Sequence, residues 1–103
     1  MILTTTEHIP GKTYEVLGLV RGSTIQSKNL GKDITQSLKG LVGGELKAYT
    51  EMMNAARALA TKRMVADAEA QGADAVVCMR YVSASVAQGA AEVMAYGTAV
   101  KFC

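Results

Sequence analysis

Hydrophobic positions along the chain follow two rhythms, and the switches between them divide it into elements. Ile2-Leu3-Thr4-Thr5-Thr6 is rich in β-favouring residues and predicts a short strand. His8-Ile9-Pro10-Gly11 predicts a turn, because Pro presets φ and Gly permits positive φ. Across Thr13–Val20, Tyr14, Val16 and Val20 share one parity while Leu17 and Leu19 share the other. Both faces are apolar, which predicts a strand covered on both sides. Ser23–Gly31 is polar and reads as a loop.

The rhythm then turns helical. Asp33 followed by Gln36 fits a capping pair, and Ile34, Leu38 and Leu41 give a short amphipathic helix that Gly43-Gly44 ends. Glu45–Gln71 holds neither Pro nor Gly and is dense in Ala, Met, Leu, Lys and Glu, so a long helix is expected. Leu46, Tyr49, Met53, Ala56, Ala60, Met64 and Ala68 form one apolar track at helical spacing. A second track, Met52, Ala55, Leu59, Ala66 and Ala70, lies beside it, so the stripe is wide enough for more than one neighbour. Lys47–Glu51 and Arg63–Asp67 have the spacing of i,i+4 pairs, and Gly72 is placed as the C-cap.

After Gly72 the period falls to two. Asp74–Ala87 and Glu92–Phe102 read as strands, joined by the short link Gln88-Gly89-Ala90-Ala91 of a hairpin. In the last strand Met94, Tyr96, Thr98, Val100 and Phe102 alternate with Ala95, Gly97 and Ala99. One face is bulky, and the bare one allows close approach of the helix or of another subunit. The order β-β-α-α-β-β predicts one α+β domain over residues 1–103, with a mainly antiparallel sheet, one long helix and one short helix.

Composition narrows the function classes. The chain has 103 residues, half of them hydrophobic, but only five aromatic, so the core is built from small pieces and Met. A net charge of +2, with both signs mixed, lacks the clustered basic face that nucleic acid binding requires. The longest charge-free run, Tyr81–Ala91, is far short of the ~20 apolar residues of a membrane span. The first basic residue is Lys12, so the cationic start of a signal peptide is missing and a cytoplasmic location is expected. Cys78 and Cys103 then read as free thiols.

An ordered series of short segments resembles the YbjQ-type family of bacterial proteins. It comprises Val20-Arg21-Gly22, Asn29–Ile34, Gly43–Thr50, Ala56-Arg57, Arg63-Met64, Gly72–Val77, Arg80, Ser83 and Glu92–Val100. The likeness spans nearly the whole chain. It implies a dodecin-like subunit, a homo-oligomer that forms a pentameric ring, and a heavy-metal-binding label; it fixes no reaction.

Four chemistries follow from the residues. A soft transition metal would want thiolate and thioether ligands, which His8, Cys78, Cys103 and the Met residues could offer. The paired short spacing of a zinc site is missing. If Val86 pairs with Val93, Cys78 opposes Lys101 and Cys103 lies diagonally from it on one face, ~7–8 Å away. Gly40-Leu41-Val42-Gly43-Gly44 could cradle an anion before a helix, but it lacks the Lys-Ser/Thr of a P-loop, and Glu45 occupies the place an anion would want. No nucleophile elbow is present and no catalytic residue is assigned. Glu51, Arg57 and Arg80 are charges among apolar neighbours, expected either to pair or to line a ligand pocket at a subunit interface, the latter being the basis of an alternative reading as an enzyme. Flavin stacking is disfavoured, since the chain has no Trp and only Tyr14, Tyr49, Tyr81 and Tyr96 to substitute. The strongest expectation is assembly into a closed homo-oligomer with no nucleic acid or membrane partner. Its ligand, a heavy metal or small molecule, would sit at the interfaces.

Overall fold

A computed structural model describes residues 1–27 and 47–103. Five elements carry the fold: β1 (Ile2–Leu3), β2 (Tyr14–Ser27), α1 (Lys47–Ala70), β3 (Ala75–Ala87) and β4 (Ala90–Phe102). The short helix expected near Asp33–Leu41 and the Gly-rich run at Gly40–Gly44 lie outside the described residues. The strands form one mixed sheet in the order β1-β3-β4-β2, in which β1 runs parallel to β3 and the two long pairings are antiparallel. Because β2 and β3 flank β4 and run alike, α1 is the crossover that carries the chain over one face.

Local chemistry sets the joints. Pro10-Gly11 makes the expected turn, with Gly11 at φ 77° and Lys12 N donating to Ile9 O at 3.1 Å. Gly72, at φ 78°, ends α1 in a Schellman motif: Ala73 N reaches Ala68 O and Gly72 N reaches Glu69 O. Gly89, at φ 75°, closes the β3–β4 hairpin.

One sequence expectation changes here and another narrows. Strand β2 does not stop at Val20 but continues through Ser27, pairing with β4 as far as Ala90. Polar Ser23, Thr24 and Gln26 read as loop on composition, yet the long hairpin supplies a partner strand, and Thr24 is only 5% exposed. Of the two partners expected for the bare face of β4, the helix or another subunit, the helix takes it. Ala95 and Ala99 pack with Val20, Ala56, Ala60, Met64, Ala68, Val76 and Val93 in the core beneath α1.

Close approach is the reason for the small residues. A methyl group on Gly22 would collide with the α1 backbone at Met64 N and Ala60 O, and would stand 2.7 Å from Arg63 C. Gly97 faces a bulge in β3, where Val77 pairs with Thr98 but the next paired residue is Arg80, opposite Tyr96. Cys78, inside that bulge, takes φ 55°, a left-handed conformation that costs an L-residue energy unless neighbours hold it. Its N–H donates to Thr6 O, and Met79 N donates to Thr4 O, so the segment after β1 clamps the bulge.

Candidate functional site

Helix α1 covers one face of the sheet, lying chiefly over β2 and β4. Its polar side chains also reach the outer edge of β2. Asp67 Oδ2 accepts from Arg21 N at 3.2 Å, and Arg63 Nη1 donates to Ser23 O at 2.7 Å. Arg63 and Asp67, expected as a helical pair, instead satisfy backbone groups of the edge strand. That is the chemistry by which proteins close an edge to further strand addition.

Among the described residues no helix lies on the opposite face. Alternation places Val16, Leu19 and Ile25 of β2 and Val82 of β3 there, 66%, 67%, 61% and 47% exposed. One end of this face is filled by a small second cluster of Ala75, Val77 and Val100 with Ile9, Tyr14, Cys78 and Phe102. Lys12 Nζ stands 5.0 Å above the Phe102 ring, and Tyr14 OH donates to Glu7 O. No other described residue packs on the rest of the face. The described fold is correspondingly long and thin, 55 × 25 × 16 Å. Its radius of gyration is 17.1 Å, against about 13 Å for a compact chain of this length.

The register separates the two cysteines within one chain. The hairpin pairs Ser83, not Val86, with Val93, and the bulge puts Cys78 level with Gly97 rather than Lys101. Cys103 lies beyond the end of β4, where its N–H donates to Thr13 O. Six residues of strand separate the two levels, ~20 Å at strand rise. Among the described residues no three His, Cys, Asp or Glu side chains converge. His8 is exposed, and its carbonyl accepts from Thr6 Oγ1. Within one chain Cys78 and Cys103 are therefore too far apart to share an ion.

Nor does one chain gather the three charges. Arg57 Nη2 donates to Asn54 Oδ1 at 2.7 Å on α1, and Glu51 is exposed on the same helix. Arg80 sits on the sheet face away from α1, and its Nη1 donates to Thr5 O and Met79 O. These are structural contacts. The Tyr residues are equally dispersed: Tyr81 OH meets Thr61 Oγ1 at 2.6 Å on the helix side, whereas Tyr96 lies on the other face.

A feature the sequence reading missed is a hollow of about 230 Å³ between the start of α1 and the hairpin tip. Tyr49, Met52, Met53 and Ser85 line it, with Gly89, Ala90 and Ala91 as floor. The adjacent Met52 and Met53 straddle both apolar tracks of α1, and that was its only sequence signal. Among the described residues no helix is long and apolar enough to cross a membrane.

Comparison with known proteins agrees along the whole length. A UPF0145 protein of Alkaliphilus metalliredigens is 63% identical over 102 residues, covering 99% of each chain. A UPF0145 protein of Clostridium novyi is 62% identical over 101 residues, covering 98% of each. Another, from Thermotoga petrophila, is 55% identical over 102 residues, 98% of this chain and 96% of that one. The fold is also that of a crystal structure from Pediococcus pentosaceus, a protein of unknown function in the DUF74 family. It matches with a TM-score of 0.68 at 15% identity, over 100% of this chain and 98% of that one. The family model YbjQ_1, described as "Putative heavy-metal-binding", matches residues 1–103, and the chain belongs to that family.

Proposed function

We propose that this protein acts as a homo-oligomeric binding protein whose ligand, a soft metal ion or a small molecule, is held where subunits meet. The uncovered apolar sheet face carries the reading. Val16, Leu19, Ile25 and Val82 project from one side of a single-layered sheet that α1 covers only on the other. Contiguous apolar surface of this kind marks a place where protein meets protein. The family description supports a metal as ligand. Since no three such donors converge among the described residues of one chain, a heavy metal would draw ligands from more than one subunit. The dodecin-like arrangement and the five-membered ring implied by the family resemblance belong to the same proposal.

Native mass spectrometry of freshly purified protein, with elemental analysis of the same sample, tests it. The expected result is a closed multi-chain species with retained mass or stoichiometric metal. A single-chain species at micromolar concentration that carries nothing would overturn the proposal.

A further inference from the structure

The two outer edges of the long strands are treated differently. On β2, Arg21 and Ser23 point backbone groups outward, and Asp67 and Arg63 bind them. In an antiparallel ladder this fixes the phase. Arg21 and Ser23 pair with Tyr96 and Met94, so those β4 residues turn their N–H and C=O toward β3, to Arg80 and Val82. It follows that Tyr81, Ser83 and Ser85 turn theirs away from β4. The segment after β1 occupies the β3 edge only as far as Met79. Beyond it, no described residue pairs with the edge from Arg80 to Ala87, and every residue of that stretch is exposed.

Two of the usual edge defences, charge and Pro, are missing from this stretch. The run Tyr81–Ala91 contains no charge and no Pro. Val82 and Val86 are 47% and 51% exposed. The one irregularity is a bulge at Val86, between Ser85 and Ala87, at the last residue of the stretch before the hairpin turn.

We propose that this edge pairs with the same edge of a second copy of the chain, antiparallel about a two-fold axis at Ala84. The sequence specifies the occupant. Val82-Ser83-Ala84-Ser85-Val86 reads identically in both directions. Centred on Ala84, Ser83 and Ser85 exchange hydrogen bonds with Ser85 and Ser83 of the second copy, matching the outward phase derived above. Val82 then comes opposite Val86 of the second copy, so β-branched side chains meet at both ends of the junction, where Val86 sits in the bulge of β3. Arg80 comes opposite neutral Gln88, so no like charges meet. The result is one continuous eight-stranded sheet whose open apolar faces lie side by side. Within a larger assembly the same contact joins two rings and makes the total number of chains even.

This rests on the homo-oligomer reading, and the test separates the two. Wild-type protein is sedimented at micromolar concentration. In parallel, Ala84→Cys is made in a Cys78→Ser, Cys103→Ser background and oxidised mildly, with Gln88→Cys as control. Ala84 lies on the two-fold axis in a non-hydrogen-bonded pair, at a Cα separation of ~4.5 Å that suits a disulfide. The expected result is a reducible two-chain product from Ala84→Cys and little from the control. Adding Ser83→Pro, which removes an outward N–H while sparing the β4 ladder, should cut that product about tenfold. A multi-chain wild type whose Ala84→Cys variant does not cross-link beyond the control overturns this pairing but leaves the oligomer standing. A wild type that sediments as one chain overturns both.

Discussion

Gly22→Ala isolates the closest contact in the fold. Gly22 does not have positive φ, so its need for glycine is steric alone. On conformational grounds alanine in a strand should stabilise by about 0.5–1 kcal/mol. Space decides otherwise. The nearest atoms are α1 backbone, which cannot rotate away as a flexible side chain would, and Arg63 C would stand 2.7 Å from the new methyl. Ordinary carbon contact is about 3.5–4.0 Å, so the helix must withdraw by about 1 Å. A gap of that size forfeits up to about half of each van der Waals well. Met64, Ala60, Ala56, Ala68 and Val20 are fully buried along this seam. A buried side chain makes some 40–60 contacts of ~0.1–0.2 kcal/mol, and with half of them crossing the seam Met64 alone loses ~1–2 kcal/mol. The whole seam then loses ~3–5 kcal/mol. The Arg21 N to Asp67 Oδ2 bond, 3.2 Å now, would also lengthen past hydrogen-bonding reach. Urea unfolding followed by circular dichroism, at one fixed chain concentration, should give that difference, with Tm lower by at least about 12 °C. A change within about 0.5 kcal/mol of wild type, or a stabilisation, would refute the argument that backbone approach at Gly22 seats the helix.

Four further outcomes follow from the same geometry. Gly97→Val should cost ~1–3 kcal/mol in the same assay, because even its first carbon meets Val76 Cγ1 at 2.6 Å and Val77 O at 3.0 Å. Asp67→Ala should cost ~1 kcal/mol and raise thioflavin-positive aggregation on warming, since it uncovers the Arg21 amide on the β2 edge. Val16→Lys with Leu19→Lys should leave the urea midpoint of the chain within about 0.5 kcal/mol, both side chains being mostly exposed, but shift sedimentation to smaller species. Zinc or cadmium held by the assembled protein should be released when mild urea separates the chains, read by elemental analysis of the separated species, because the two thiols stand too far apart in one chain to share an ion.

What could be read in advance was whatever a local rule controls. The Pro10-Gly11 turn, the long helix, its Gly72 cap and the hairpin each follow from a few adjacent residues, and each was legible. Registers were not. Alternation alone allowed Val86 to pair with Val93, whereas bulges at Cys78–Met79 and near Val86 shift the ladder, and nothing in the residue pattern marks them. That shift removed the proposed cysteine pair. The continuation of β2 through Ser27 was hidden for a related reason: Ser23, Thr24 and Gln26 are polar, and only the length of the hairpin opposite makes them strand. The bare face at Ala95, Gly97 and Ala99 correctly announced close approach, but small residues do not name their partner, which is α1 of the same chain.

The way α1 is spent explains why the rest of the surface invites association. One helix of 24 residues can cover two strands, and here it takes β2 and β4, seated by Gly22 and filled by Ala56, Ala60, Met64 and Ala68. It then closes the β2 edge with Arg63 and Asp67. It reaches the distal half of β3 only thinly, through Thr61 at Tyr81 and across the hollow at Ser85, and no described residue closes the edge there. A monomer selected to stay alone would place charge or Pro at such an edge. This chain instead puts its longest charge-free run there, with valines where lysines would protect. Helix side chains guard one edge, and the other is kept uncharged and self-complementary. On the proposed pairing, that asymmetry directs strand addition to one edge and blocks it at the other.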